Sequence, residues 1–282
     1  MKKLSLEIIF NTSLAMKIYD SHTHLNQELL FPKREELFFS FIQNWWAWLV
    51  NAWANENYNT RGIEIAKRCK ENYPEVFVKC ALGWHPCDVE NIHWDLDEER
   101  AHLKDLIIQN REEVVAIGEC WIDLHYWKIE GLEKQKRYFR AQCELAQELE
   151  LPIVIHSRDG FSETFEVLKD FKDLVVYIHC WGYSAKEIEI MVASFPKLFI
   201  GFCWNISYKN AENLRESVKV LPLEKLLIET DAPYLSPQGF RWKENSPEMV
   251  GVIWKYIAEL LCVSEEALWE QVEKNFYTLY RR

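Results

Sequence analysis

No Cys-x-x-Cys pair, no Pro/Gly/Ser-rich linker, no internal repeat and no excess of positive charge occurs in this chain of 282 residues. Each absence excludes something. The eight cysteines stand singly at wide intervals, which argues for reduced thiols and against both disulfide staples and a Cys-rich structural zinc site. No apolar run approaches the ~18 residues that a membrane-spanning helix needs. The formal charge is −11, from 33 Lys+Arg and 44 Asp+Glu, and this deficit excludes a grip on nucleic acid through a broad basic face, which relies on Lys and Arg releasing counterions. Any phosphate chemistry here needs positive charge from another source. Residues 1–15 contain two lysines, but Glu7 and Asn11 interrupt the apolar stretch and no small-residue cleavage site follows. They read as an N-terminal extension or a mis-assigned start ahead of Met16. The expectation is a cytoplasmic protein with no membrane association and no obligate protein partner.

What is present is a regular alternation. With 49% hydrophobic residues the chain can bury a large core, and short apolar runs rich in β-branched or aromatic residues alternate with helix-period segments. The runs predict strands at 17–19, 46–53, 76–83, 114–119, 152–156, 175–179, 197–202 and 225–230. Eight β-then-α units with no linker between them predict an α/β fold, a single (β/α)8 barrel over residues 16–282. Two further helices follow the last strand, the second introduced by Ser264, Glu265 and Glu266.

The polar residues that end these runs carry the chemistry. His22, His24, His85, His156 and His179 fall at or just beyond predicted strand ends, joined by Glu119 and Asp231. In a barrel those ends converge on one face, where active sites of this fold are built. His22 and His24, two apart on an extended segment, leave the same side and can share a metal. Asp20 either orients a ligand or pairs with a neighbouring loop. Glu119 follows an apolar strand directly, where an unpartnered carboxylate is costly to bury and a cation removes the cost. Strand 4 has no lysine, so a carbamylated-lysine bridge there is excluded. The natural partition gives one ion to His22, His24 and Asp231 and a second to His156 and His179, with Glu119 between. This donor set accepts zinc, manganese or iron and leaves magnesium open. Two divalent ions, two carboxylates and a bound hydroxide leave about +1, which attracts an anion. His85 and Arg158 are candidates for substrate phosphate contacts, Arg158 through its forked guanidinium. Asp231 is placed to orient the hydroxide and take its proton.

The motifs DSHTHL, GWHP, AIGE, LPIVIHSRD, IHC and LLIETDAPYLSP, in this order, resemble the TatD family of metal-dependent deoxyribonucleases, a branch of the amidohydrolase-like barrels. The resemblance runs from Met16 to near the end. It implies a hydrolase with two divalent metals (Mg, Mn or Zn) acting on DNA phosphodiesters. His22, His24, Glu119, His156, His179 and Asp231 are then the metal ligands, with Glu119 and Asp231 catalytic. His85 and Arg158 fall on positions near the phosphate. The chain departs from the family pattern at Cys120, Trp121, Ile122 and Asp123, at Trp181, Gly182 and Tyr183, and in the segment 241–247. These departures predict aromatic loops at the substrate end. The expected activity is a DNase working on frayed or single-stranded ends. A related barrel that hydrolyses a small ester, lactone or amide is the nearest alternative, and a metal-bearing scaffold without catalysis is a third.

Overall fold

The computed structural model describes residues 19–43, 48–51, 56–74, 76–84, 95–125, 131–236 and 244–280. Residues 1–15, His85 and the Arg241 and Lys243 positions lie outside them. The eight strands are β1 (Tyr19–Thr23), β2 (Trp48–Asn51), β3 (Phe77–Leu82), β4 (Val114–Asp123), β5 (Ile153–Arg158), β6 (Val176–Ile178), β7 (Leu198–Phe202) and β8 (Leu226–Ile228). All neighbours pair in parallel in sequence order. Asp231 N–H donates to the His22 carbonyl at 3.1 Å and His24 N–H to that of Ala232 at 2.8 Å, which brings the last strand back to the first. This is the (β/α)8 barrel expected from the alternation.

The described helices are α1 (Arg34–Gln43), α2 (Glu56–Asn72), α3 (Leu96–Gln109), α4 (Leu132–Glu148), α5 (Phe161–Leu168), α6 (Ala185–Ser194), α7 (Glu212–Val220), α8 (Val250–Leu261) and α9 (Glu265–Tyr280). The last two are the extra C-terminal pair. Ser264 Oγ accepts from Ala267 N–H at 3.1 Å, which satisfies one of the free donors at the start of α9. No helix among the described residues is long and apolar enough to cross a membrane.

Three strands, β1, β4 and β5, run past their expected ends, while β3, β6 and β8 stop one or two residues short of theirs. Strand 1 runs on through Asp20, Ser21, His22 and Thr23, and β4 continues four residues past Glu119, pairing Trp121 with His156 and Asp123 with Arg158. Hydropathy ends a strand where polar residues begin. At the functional end of a barrel the pairing persists while side chains turn polar, because the backbone still needs its ladder partners.

Simple alternation does not explain how the polar layer faces inward. Tyr19, Ala116, Val154, Tyr177 and Leu227 share one apolar cluster, which α9 joins through Phe276 and Tyr280. His156 lies two residues beyond Val154 within β5, so period two keeps it on the same face, while His179 and Asp231 follow the ends of β6 and β8. Glu119 and His22 lie three beyond Ala116 and Tyr19, which is out of phase. Register shifts between Ile117 and Cys120 and between Asp20 and Thr23 supply the missing step. At the β4 shift Gly118 has φ +143°, and a Cβ there would lie 2.5 Å from the Val154 carbonyl oxygen. Glycine is required on both counts. Gly118→Ala is expected to cost about 1–3 kcal/mol of stability, read by denaturant unfolding. A variant as stable as the parent contradicts this account of the strand.

Candidate metal centre

Six of the side chains singled out by sequence meet at the C-terminal mouth of the barrel. His22 Nε2 faces His24 Nε2 at 3.3 Å, and His24 Nε2 is 2.9 Å from Asp231 Oδ1. Glu119 Oε1 lies 3.2 Å from His22 Nε2 and in closer contact with His179 Nε2. His156 turns Nδ1 to His179 Nε2 at 3.0 Å. The His22 and His179 rings stack with centroids 3.8 Å apart. The donors fall into three overlapping groups: His22, His24 and Glu119; His22, His179 and Asp231; Glu119, His156 and His179. Glu119 thus faces both the β1 pair and the β5/β6 pair. The grouping is less sharply divided than the expected partition, since His179, from the β6 side, also gathers with His22 and Asp231.

The polar support of β1 is buried. Asp20 Oδ1 accepts from His22 N–H at 3.2 Å and from Thr230 N–H at 3.0 Å, and its Oδ2 accepts from the Thr230 hydroxyl at 2.5 Å. Of the two roles open to Asp20, the contacts support the clamp. It ties β1 to the segment after β8, across the seam that carries His22, His24 and Asp231. Burial pushes its carboxyl well up, although three donors favour the charged form. Asp231 adopts a left-handed backbone, φ +56°. Asn245, fully buried, donates to the carbonyls of Thr230 and Tyr234 on either side of it.

Electrostatics shows what the cluster lacks. Burial opposes charge on Glu119, but the His179 and His22 imidazoles outweigh it and hold the carboxyl well below the usual carboxylate range. Burial also opposes a proton on His179, yet Glu119 and Glu229 raise its pKa well above normal. Burial and the charge on His179 lower His22, and lower His156 to about 3. Among these imidazoles, His179 is the one whose surroundings favour a proton, because two buried carboxylates face it. Glu119 Oε1 is buried and met only by the His22 and His179 imidazoles, and His22 Nδ1 is buried without a hydrogen bond. Facing imidazole nitrogens around a buried carboxylate fit a divalent cation such as zinc or manganese.

Two aromatic expectations need correction. Trp121 is not on a loop: it lies within β4, 9% exposed, with its ring 4.4 Å from that of His156. Trp181 is 1% exposed and packs edge-on against Phe161 and Tyr183. These indoles follow polar site residues, where their size reads as a binding surface, but the barrel wall has room to bury them. Arg158 ends β5, two residues beyond His156 and so on the same face. His85 lies outside the described residues. The strand-end pattern does not single out Glu229, two before Asp231, yet it is fully buried and its Oε1 lies 3.4 Å from His179 Nδ1. The period-two spacing from Asp231 was the available signal.

A parallel barrel with an imidazole and carboxylate cluster at its mouth is the frame of a metal-dependent hydrolase, and the comparisons agree. The family model described as TatD related DNase matches residues 19–281, and the chain belongs to the TatD family. It is 35% identical over 267 residues, 94% of this chain and 99% of the other, to YabD of Bacillus subtilis (strain 168), named an uncharacterized metal-dependent hydrolase. It is 30% identical, over 82% of this chain and 88% of the other, to the 3'-5' ssDNA/RNA exonuclease TatD of Escherichia fergusonii. Among solved structures, the YJJV TatD homolog of Escherichia coli K12 superposes with a TM-score of 0.84 at 24% identity, covering 95% of this chain and all of that one. The chain is a metal-dependent hydrolase.

Cation binding should stabilise the folded protein and displace the proton on His179, because an imidazole can bind a metal only when deprotonated. Adding manganese or zinc to chelator-stripped protein is expected to raise stability by about 2.7 kcal/mol per site at a hundredfold excess over Kd. It should also release about one proton, seen as a buffer-dependent heat in calorimetry. Melts unchanged by the ions contradict this.

Proposed function

We propose that this hydrolase is a deoxyribonuclease that cleaves phosphodiester bonds at DNA ends or in single strands, using two divalent ions. The observation that carries the reading is Glu119, one carboxylate facing both His22 and His179 and so suited to serve two adjacent cations. His22, His24 and Asp231 would hold one ion and His156 and His179 the other, with Glu119 between them. When bound, the ions supply positive charge for the phosphodiester oxygens and lower the pKa of water. This is the source of positive charge that a chain of net charge −11 lacks elsewhere.

The remaining steps belong to the chain. Asp231 Oδ1, held at 2.9 Å from His24, accepts the proton of the attacking water. Arg158, on the same face as His156, donates two N–H bonds to the two non-bridging phosphate oxygens, and His85 contacts the same phosphate. A single-stranded or frayed end reaches such a recessed centre without a broad basic surface. The relative named as an ssDNA/RNA exonuclease supports this substrate class.

Stripped protein reloaded with magnesium, manganese or zinc should degrade a labelled single-stranded oligonucleotide. Glu119→Ala should abolish that activity, while Arg158→Ala should raise KM more than it lowers kcat. RNA and small esters, lactones and amides belong in the same assay. Turnover of these small substrates with none of DNA would sink the nuclease reading, and an active Glu119→Ala would remove Glu119 from its role.

A further inference from the structure

Glu229 is fully buried, and no Lys or Arg pairs with it among the described residues. Its Oε2 accepts from the Tyr177 hydroxyl and its Oε1 from the Cys180 N–H at 2.5 Å. A Cβ at Gly201 would lie 2.5 Å from the Tyr177 hydroxyl and 2.6 Å from Glu229 Oε2, so glycine there leaves the space in which the two meet. Both carboxylate oxygens are therefore fixed by donors on β6 and the residue after His179. The same Oε1 lies 3.4 Å from His179 Nδ1, a buried nitrogen with no hydrogen bond. An imidazole that gives its Nε2 lone pair to a cation carries its proton on Nδ1, and in a dry site that N–H needs an acceptor. Glu229 is the carboxylate that faces it.

We propose that Glu229 is the positioning residue of His179: pinned by Tyr177 and the Cys180 N–H, it holds the imidazole with Nε2 toward the centre and sets the cation affinity of the β5/β6 half. The β1 half is held differently, by Asp20 on the His22 N–H and by the Asp231 N–H on the His22 carbonyl. The two halves should therefore respond separately to mutation. This inference rests on His179 being a metal ligand.

The test titrates stripped protein with zinc or manganese against a chromogenic chelator, independently of any DNA assay. Glu229→Gln is expected to weaken one of the two ions about 10–100-fold and leave the other unchanged. Tyr177→Phe removes one of the two donors that pin the carboxylate but leaves the Cys180 N–H and the carboxylate before His179, and should weaken the same ion less than Glu229→Gln does. If Glu229→Gln is not recovered folded, Glu229→Asp, which keeps the charge but withdraws it from His179, should show the same loss of one ion. The cobalt-loaded Glu229 variant should also have an absorption spectrum different from that of the cobalt-loaded parent. Wild-type affinity for both ions in the Glu229 variant overturns the proposal, as does equal weakening by Tyr177→Phe. A His179→Ala variant that binds both ions like the parent would strike instead at the ligand assignment beneath it.

Discussion

Everything at the mouth of this barrel depends on a carboxylate that is too deeply buried to stand alone. Glu119 is 1% exposed, and an ionised carboxylate removed from water is costly unless charge and hydrogen bonds meet it. Here the His22 and His179 imidazoles meet it from two sides, and a cation held by the same groups would offset the buried charge further. The backbone irregularities make sense in this light. Without the register shift at Gly118, alternation would turn Glu119 into the wall, and without the shift in β1 it would do the same to His22.

The support beneath the cluster is made of buried polar groups. Asp20 and Thr230 bind β1 to the segment after β8, Asn245 spans the backbone around Asp231, and the Tyr280 hydroxyl of α9 donates to the Ser21 carbonyl at 3.0 Å. The seam between first and last strands carries three of the six clustered side chains, and it is also where this support is concentrated. The C-terminal helix thus connects to the site through the residue next to His22. Fold and chemistry meet at one seam, since ligand positions must be held closely for a metal site to keep its geometry.

Much of this was legible in the sequence. Alternating apolar runs gave the barrel, and polar residues at run ends gave His22, His24, Glu119, His156, His179 and Asp231, because a strand end at one face of a barrel can be located without tertiary information. What stayed hidden depends on pairing between strands. The extension of β4 past Glu119 is fixed by β5, not by its own hydropathy, and so Trp121 read as a loop residue when it lines the barrel wall. The out-of-phase steps at Glu119 and His22 are likewise invisible to period-two counting. Glu229 was hidden for another reason: beside Asp231 it looks like one more acid, and only its distance to His179 gives it meaning.

The central claim is that Glu119 lies between two cation positions. Anomalous diffraction from crystals soaked in manganese or zinc, collected at the metal edge, tests it most directly. The account predicts two peaks at the barrel mouth flanking Glu119, one beside His22, His24 and Asp231 and the other beside His156 and His179. A single peak remote from Glu119, or peaks only at surface carboxylates, would contradict it.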